Sequence, residues 1–343
     1  KQSQFHVFGV TTIIIALITY CIAPIVATQP SWFYVMVVVT VLLFTELKHT
    51  FTELAQRMKN DEMITLAKFL AISGIILPML PNENLIPDIN LTPYTVWLAT
   101  VVVSGISYLS YLLRRYVFHE SGILVSGIIG GLYSSTATIS VLARKSRKAP
   151  AQEAPEYAAA MLLAVSMMFL RFLILIGIFS KAILAEIYPY LLIMSFVTAG
   201  VAWYLHRKRK SIPVTGEEAE EEDSSNPLEF KVALIFAVLF VIFTIVTHYT
   251  LIYTGTGGLN VLSFIAGLSD ITPFILNLLQ GSGVAVVVVT ACCMQAIVSN
   301  IAVNMCYALF FAGGKSPLRR WVLRGFGGVI AVNVCLLLFF YLL

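Results

Sequence analysis

Charged residues are scarce in this 343-residue chain: Asp, Glu, Lys and Arg together make up 12% of it, whereas 59% is hydrophobic. A soluble domain carries about 25% charged and 45–50% apolar residues. With half of the usual charge, a globule of this size cannot cover its surface in water. The composition excludes a soluble fold, a disordered chain and a nucleic-acid-binding protein, and it predicts an all-α polytopic membrane protein.

Cysteine and histidine are also few, and neither is arranged as a set of ligands. The five cysteines lie within apolar runs without a CxxC spacing, and the five histidines do not cluster. We therefore expect no disulfide framework and no cofactor. Ser134 has no histidine at the spacing of a known nucleophile motif, and we expect the protein not to be an enzyme.

Long apolar segments fill most of the chain, and about 20 mainly apolar residues suffice for a helix to span a bilayer. The sequence predicts nine such helices, near residues 8–27, 32–47, 63–80, 94–113, 157–180, 184–205, 230–250, 285–311 and 318–342. Between the second and the third, segment 47–59 has apolar residues at helical spacing among charged ones, which predicts an amphipathic helix on the membrane surface. Because the first residue is Lys1 rather than Met, we expect a preceding segment.

Two further apolar stretches, 121–145 and 257–280, are interrupted in the middle by glycine and hydroxyl residues. The interruptions read Gly-Gly-Leu-Tyr-Ser-Ser-Thr from Gly130 and Gly-Leu-Ser-Asp-Ile-Thr-Pro from Gly267. A shift of 136 positions places the Gly-Leu pair and the threonine of the first on those of the second. These matches predict an internal repeat.

The distribution of Lys and Arg indicates that both stretches turn back inside the membrane. If each enters and leaves on the same side, about 20 of the 22 basic residues lie on one side, as expected of the cytoplasmic side. The first hairpin then enters from the cytoplasm and the second from outside, so that the two halves are inverted copies, as in several transporter folds. The predicted domains are 1–90, N-terminal helices; 91–212, first inverted repeat; 213–229, a charged cytoplasmic linker; and 230–343, second inverted repeat.

The hairpin tips are the candidate substrate-binding site, because irregular backbone at membrane depth must be buried in protein or line a wet cavity. Ser134 and Asp270 hold equivalent positions and are expected to cap the half-helices that begin there. Arg171 and Asp270 are charged residues within the apolar core, where charge is costly and usually functional, and we expect them to lie near each other. Hydroxyl and amide side chains complete the candidate set: Ser135, Thr136, Thr138, Thr272, Ser299, Asn300 and Asn304.

Each of these residues also allows a structural interpretation. The hydroxyls and amides can simply cap and join helices, and Arg171 with Asp270 can form an ion pair that locks a hairpin to a helix. The sign of the substrate's charge stays open, because the half-helix amides and Arg171 favour an anion whereas Asp270 favours a cation. The metal ligands are unknown, with Asp270 the only carboxylate expected within the membrane.

Several segments together resemble MgtC/SapB-family membrane proteins, of the type with a long C-terminal domain of unknown function. The segments are Gly9-Val10-Thr11-Thr12, Glu46–Met58, Leu77-Pro78-Met79-Leu80-Pro81, and Gly130 to Thr138 running into Ala143-Arg144. The resemblance implies a location in the bacterial cytoplasmic (inner) membrane and a link to magnesium homeostasis. Thr272 and Asn304 stand where relatives are expected to carry an acidic residue and a lysine, which weakens a highly charged metal site.

Two functions follow from these observations. The first is a transporter or channel for a small ion or solute, with its path between the two hairpin tips. The second, implied by the resemblance, is a regulator that transports nothing and binds another membrane complex such as the ATP synthase. The expected partners are the lipid bilayer, the small solute and a second copy of the chain, because the glycine-rich face Gly325–Ala331 favours a homodimer.

Overall fold

The computed structural model describes residues 10–28, 60–84, 91–114, 122–208, 230–280, 284–314 and 316–342, with isolated positions between 30 and 42 and at 89. The chain divides into two compact units, Lys1–Ala67 and Lys68–Leu343. The predicted surface helix at 47–59 and the predicted linker at 213–229 lie outside the described residues.

All regular elements that the structure describes are helices. The first unit contains α1 and the start of α2, which continues into the second unit and through a π-helical turn, Ile72–Ile76, to Leu77–Met79. The helices are α1 (Val10–Thr28), α2 (Asn60–Ala71), α3 (Pro93–Leu112), α4 (Ile123–Lys145), α5 (Ala154–Phe179), α6 (Lys181–Arg207), α7 (Phe230–Ala266), α8 (Ile271–Leu279), α9 (Val286–Ala312) and α10 (Leu318–Leu342).

Among the described residues, seven helices are long and apolar enough to cross a bilayer, so the chain is a multi-pass membrane protein. They are α3, α4, α5, α6, α7, α9 and α10. Six of them coincide with predicted spans, and α4 is the first interrupted stretch. The predicted span 63–80 is a shorter apolar helix, Ile64–Met79, and most of 32–47 lies outside the described residues.

α4 is broken at Ser134, whose backbone (φ −158°, ψ 110°) is extended rather than helical. A Cβ built on Gly130 would lie 2.5 Å from the Oγ1 of Thr138. Residues eight apart in one straight helix differ in height by about 12 Å and cannot touch. The two arms of α4, before and after Ser134, are therefore joined by a sharp bend that brings Gly130 and Thr138 together.

The second interrupted stretch is divided between α7 and α8. Gly255 kinks α7 with φ 63° and ψ −154°, a combination that only glycine adopts readily. The arm that follows the kink ends at Ala266, a short turn follows, and α8 begins at Ile271. α8 then packs back on α7, where the rings of Phe243 and Phe274 meet edge-to-face at 5.6 Å.

Contacts between helices match across the two predicted repeats. α4 packs along α5 and α9, whereas α8 packs along α9 and α5. α10 lies against α5, and α6 lies against α9. If α3, α4, α5 and α6 are matched in order to α7, α8, α9 and α10, each of these contacts has a counterpart in the other repeat. For example, the contact of α4 with α9 corresponds to that of α8 with α5. The buried core of the second unit lies along α5 and α9, the two helices that pack on both interrupted stretches.

Candidate functional site

Arg171 forms a hydrogen bond with the backbone at the first break in the helices. Its Nη1 donates a hydrogen bond of 2.8 Å to the backbone carbonyl of Tyr133, the residue before the break at Ser134. A helix end leaves its last carbonyls without partners inside the helix, and it carries partial negative charge. The guanidinium therefore satisfies both the hydrogen-bonding capacity and the charge of this end.

Arg171 also lies within electrostatic range of Asp270 at the second interruption. Their hydrogen bonds run elsewhere, because Arg171 donates to Tyr133 and Asp270 accepts from the backbone N–H of Thr272 at 3.0 Å. Arg171 is half-buried, whereas Asp270 is exposed in the isolated chain. The two opposite charges are thus close enough to interact, without a direct bond between them.

At the second break, the backbone carbonyls accept hydrogen bonds from an amide side chain rather than from a guanidinium. Asn300 donates Nδ2–H to the carbonyls of Gly267 and Ser269, at 3.3 and 3.4 Å, and accepts a bond of 3.0 Å from Asn304. Both amide side chains are buried, and the Oδ1 of Asn304 has no hydrogen-bond partner among the residues that the structure describes. In the predicted repeat, Ser269 corresponds to Tyr133 and Asn304 to Arg171. Asn304 donates to Asn300, and Asn300 donates to the carbonyl of Ser269. These two amide side chains together therefore reach the carbonyl that corresponds to the one bound by Arg171.

Ser134 and Asp270 cap the helical arms that follow the breaks. The Oγ of Ser134 accepts the N–H of Ala137 at 3.3 Å, and the Oδ1 of Asp270 accepts the N–H of Thr272. Both residues have extended backbones, as N-caps do. Two helix N-termini, each with partial positive charge, therefore begin at the breaks.

The remaining candidate hydroxyls have structural roles where their hydrogen bonds are defined. Ser135 is buried and contacts the sulfur of Met168 at 3.5 Å, and Ser299 donates to the carbonyl of Phe264 at 2.8 Å. Thr272 is buried at the start of α8. Thr136 is half-buried, as is Thr138, which lies against Gly130. These side chains pack the arms together, whereas Arg171 and Asp270 supply the charge.

Small residues bring the arms close to α5 and α9. A Cβ on Gly131 would lie 2.5 Å from the Cα of Ala164, and one on Gly267 would lie 2.5 Å from the Cβ of Ser299. Gly127 contacts the backbone of Ala160 in the same way. The backbones therefore approach as closely as helices of the membrane do at glycine stripes.

One partly buried polar cluster was not predicted from the sequence. Gln295 donates to the hydroxyl of Tyr341 at 2.6 Å, and that hydroxyl and the thiol of Cys292 both lie 3.5 Å from the Oδ1 of Asn260. A second pair, Tyr190 and Asn333, joins α6 to α10. The only signal in the sequence is an amide residue isolated in an apolar span, and it does not reveal the partner.

Neither a metal centre nor a dimer face follows directly from the geometry. Within the described ranges, no three His, Cys, Asp or Glu side chains converge. Among the described residues Glu156 is the buried carboxylate, and it lies in the first turn of α5 rather than near the breaks. Gly325, from the predicted dimer face, packs against Leu162 and Leu205 of its own chain, whereas Gly327 and Gly328 have open space at their Cβ positions.

Two of the comparisons with known proteins found a match to this chain. The model of a domain of unknown function (DUF4010) matches residues 101–312, from within α3 to the end of α9. An uncharacterized protein of Aquifex aeolicus (strain VF5) is 26% identical over 201 residues, which cover 56% of this chain and 84% of the relative. No solved structure matches. Since the family model covers more than half of its residues, the chain belongs to the DUF4010 family.

Proposed function

We propose that this chain is a transporter or channel for a small ion or solute, with its path between the two breaks. The observation that carries the proposal is the position of Arg171, which is hydrogen-bonded to the first break and lies within electrostatic range of Asp270 at the second. Charged groups at membrane depth are costly, and in known membrane proteins they mark ion and substrate pathways. Broken helices with their termini at the midplane form the binding sites of several transporter folds.

The contacts of α4 support a re-entrant hairpin. Gly127 lies against Ala160 and Gly131 against Ala164, so the first arm runs in the same direction as α5. Since both helices rise about 1.5 Å per residue, the first arm begins at the level of the first turn of α5. The second arm ends at Lys145, a short connection before α5. In the proposed hairpin, both ends of α4 therefore lie near the N-terminal end of α5.

The second interruption has the same relation to α9. Residues 260, 264 and 267 of the arm contact residues 292, 299 and 300 of α9 in the same order. This arm thus begins near the first turn of α9, and α8 ends a few residues before α9 starts. The arrangement supports a second hairpin with both ends at the N-terminal end of α9.

The two hairpins enter from opposite sides in this proposal. The guanidinium of Arg144, near the start of α5, lies 4.7 Å from the ring centre of Phe311, near the end of α9. The N-terminal end of α9 is about 40 Å away along that helix, at the other membrane face. Ala164 and Ala296, which contact Gly131 and Gly267, are each about ten residues into their helices, a rise of roughly 15 Å. That is half of an apolar core of about 30 Å, so the tips meet at the midplane.

Flux measurements in proteoliposomes test the proposal. The full chain is reconstituted, and the uptake of a panel of cations, anions and neutral solutes is compared between the wild type, Asp270→Asn and Arg171→Gln. We expect one solute class to move and both variants to slow its uptake at least tenfold. If no solute moves, the transport proposal is wrong, and the regulator becomes the better hypothesis.

The predicted magnesium link and the predicted location in a bacterial inner membrane rest on the family resemblance and on the distribution of basic residues. The MgtC/SapB likeness covers most of the chain and is most specific from Gly130 to Thr138, within the matched family model. The magnesium link depends on that likeness alone. The basic residues of the proposed inner face include Arg144, Arg207 and Arg319, and their concentration there supports a cytoplasmic orientation of that face in a bacterial inner membrane. A homodimer through Gly327 and Gly328 belongs to the same proposal.

A further inference from the structure

We infer that the substrate of the proposed site is a small planar oxyanion, such as formate, nitrate or bicarbonate. This inference rests on the proposed function and adds the substrate's chemical class. It is carried by the edge of the Arg171 guanidinium that forms no hydrogen bond with any residue that the structure describes.

The guanidinium of Arg171 uses one of its nitrogens and leaves an adjacent pair free. Nη1 donates to the carbonyl of Tyr133, whereas Nε is buried without a hydrogen-bond partner. Nη2 likewise makes no hydrogen bond to a described residue, and Arg171 as a whole is half-buried. Nε–H and Nη2–H point in the same direction, and this edge matches two oxygens of one planar anion.

The surroundings of Arg171 hold that edge in place. The bond to the Tyr133 carbonyl fixes the plane of the guanidinium, so less conformational freedom is lost when an anion binds. The helix arm capped by Ser134 begins one residue after Tyr133, and its first amides contribute partial positive charge to the same region. Asp270 balances the charge of Arg171 while the site is empty, and an exposed carboxylate is free to move away when an oxyanion arrives.

A thermal-unfolding experiment on the full chain in detergent tests this chemistry. Sodium formate and sodium nitrate are compared with sodium chloride at the same ionic strength, because chloride has the same charge but cannot accept two parallel hydrogen bonds from one guanidinium edge. We expect formate and nitrate to raise the Tm of the wild type and chloride to leave it unchanged. Arg171→Lys keeps the positive charge and loses the planar edge, and we expect it to weaken oxyanion binding by about tenfold or more. Gly200→Ala, at a position with open space, is the matched control and should respond as the wild type does.

The outcomes separate this inference from the proposed function. An equal Tm shift with chloride, or a shift that persists in Arg171→Lys, would show simple charge attraction and overturn the inference. Transport of cations or neutral solutes without oxyanions overturns it while the transport function stands. If Arg171→Lys does not fold, a competition experiment on the wild type tests the inference instead. Unlabelled formate and nitrate must each slow the uptake of labelled formate, and chloride must not. If no solute moves, the transport function is refuted. The Tm measurement then still tests whether Arg171 binds a planar oxyanion.

Discussion

Tyr133 and Ser269, at equivalent positions of the two repeats, each offer a backbone carbonyl that the next long helix satisfies through a side chain. Arg171 donates to Tyr133 at 2.8 Å, and Asn300 donates to Ser269 at 3.4 Å. The chemistry differs although the geometry is shared, because only the first donor carries a charge. The repeat thus preserves the structural function of the donor and keeps the positive charge at one break alone.

Replacing Asn300 by Ala tests this shared role. The substitution removes the donor to Gly267 and Ser269 and the acceptor of the buried Asn304 side chain. We expect the free energy of unfolding to fall by about 1–3 kcal/mol, the usual cost of unpaired buried polar groups. Denaturant titration in detergent measures it. Cys306→Ala, at an exposed position of the same helix, should change stability by less than about 0.5 kcal/mol. Equal effects of the two substitutions would contradict the role of Asn300.

Site-directed cysteine labelling tests the two hairpins. Single cysteines are placed at Gly122 and Lys148, at either end of α4, and at Gly257 and Ala285, at either end of the second interruption, in a cysteine-free background. We expect the first pair to react with an impermeant maleimide only from the cytoplasm and the second pair only from outside. Labelling of Gly122 and Lys148 from opposite sides would mean that α4 crosses the membrane, and the midplane site would lose its basis.

Two substitutions of Asp270 separate its capping from its charge. Asn caps a helix about as well as Asp does, so Asp270→Asn should keep the free energy of unfolding within about 0.5 kcal/mol of the wild type. Asp270→Ala removes the cap as well and should cost about 1 kcal/mol. Transport should suffer equally in both variants, because both lack the carboxylate that faces Arg171. Normal flux in Asp270→Asn would show that Asp270 acts only as a cap.

Residue patterns in the sequence were sufficient to locate the breaks but not to identify the partners. The Gly-Leu and threonine matches around Gly131 and Gly267, together with the count of basic residues, identified two interruptions and two N-caps, because glycine and capping residues have strong local preferences. The side-chain partner of Arg171 was expected to be Asp270 alone. The main partner is a backbone carbonyl, and every residue type carries one, so the sequence gives no signal for it. The cluster around Asn260 was missed for a related reason, since Tyr341 lies 81 residues away in the chain.

Gly131→Ala tests the close approach of α4 to α5. The added methyl group would lie 2.5 Å from the Cα of Ala164, in backbone that cannot move without shifting a whole helix. Overpacking of this kind typically costs about 1–3 kcal/mol. Gly200→Ala, also in a helix but with open space, should be neutral or stabilising by up to about 1 kcal/mol. Opposite signs for the two variants are the expected result of thermal unfolding.

Gly255→Ala tests whether the kink in α7 holds the second hairpin in place. The backbone of Gly255 lies at φ 63° and ψ −154°, where a side chain strains the chain by about 1–3 kcal/mol. The protein can relieve this strain by straightening α7, which would pull the following arm away from its contacts with Ser299 and Asn300. We therefore expect lower stability and, because Asp270 moves with the arm, slower transport. Gly257→Ala, two residues later with ordinary backbone and open space, is the matched control. Wild-type flux and stability in Gly255→Ala would mean that the kink contributes nothing to the placement of the second tip.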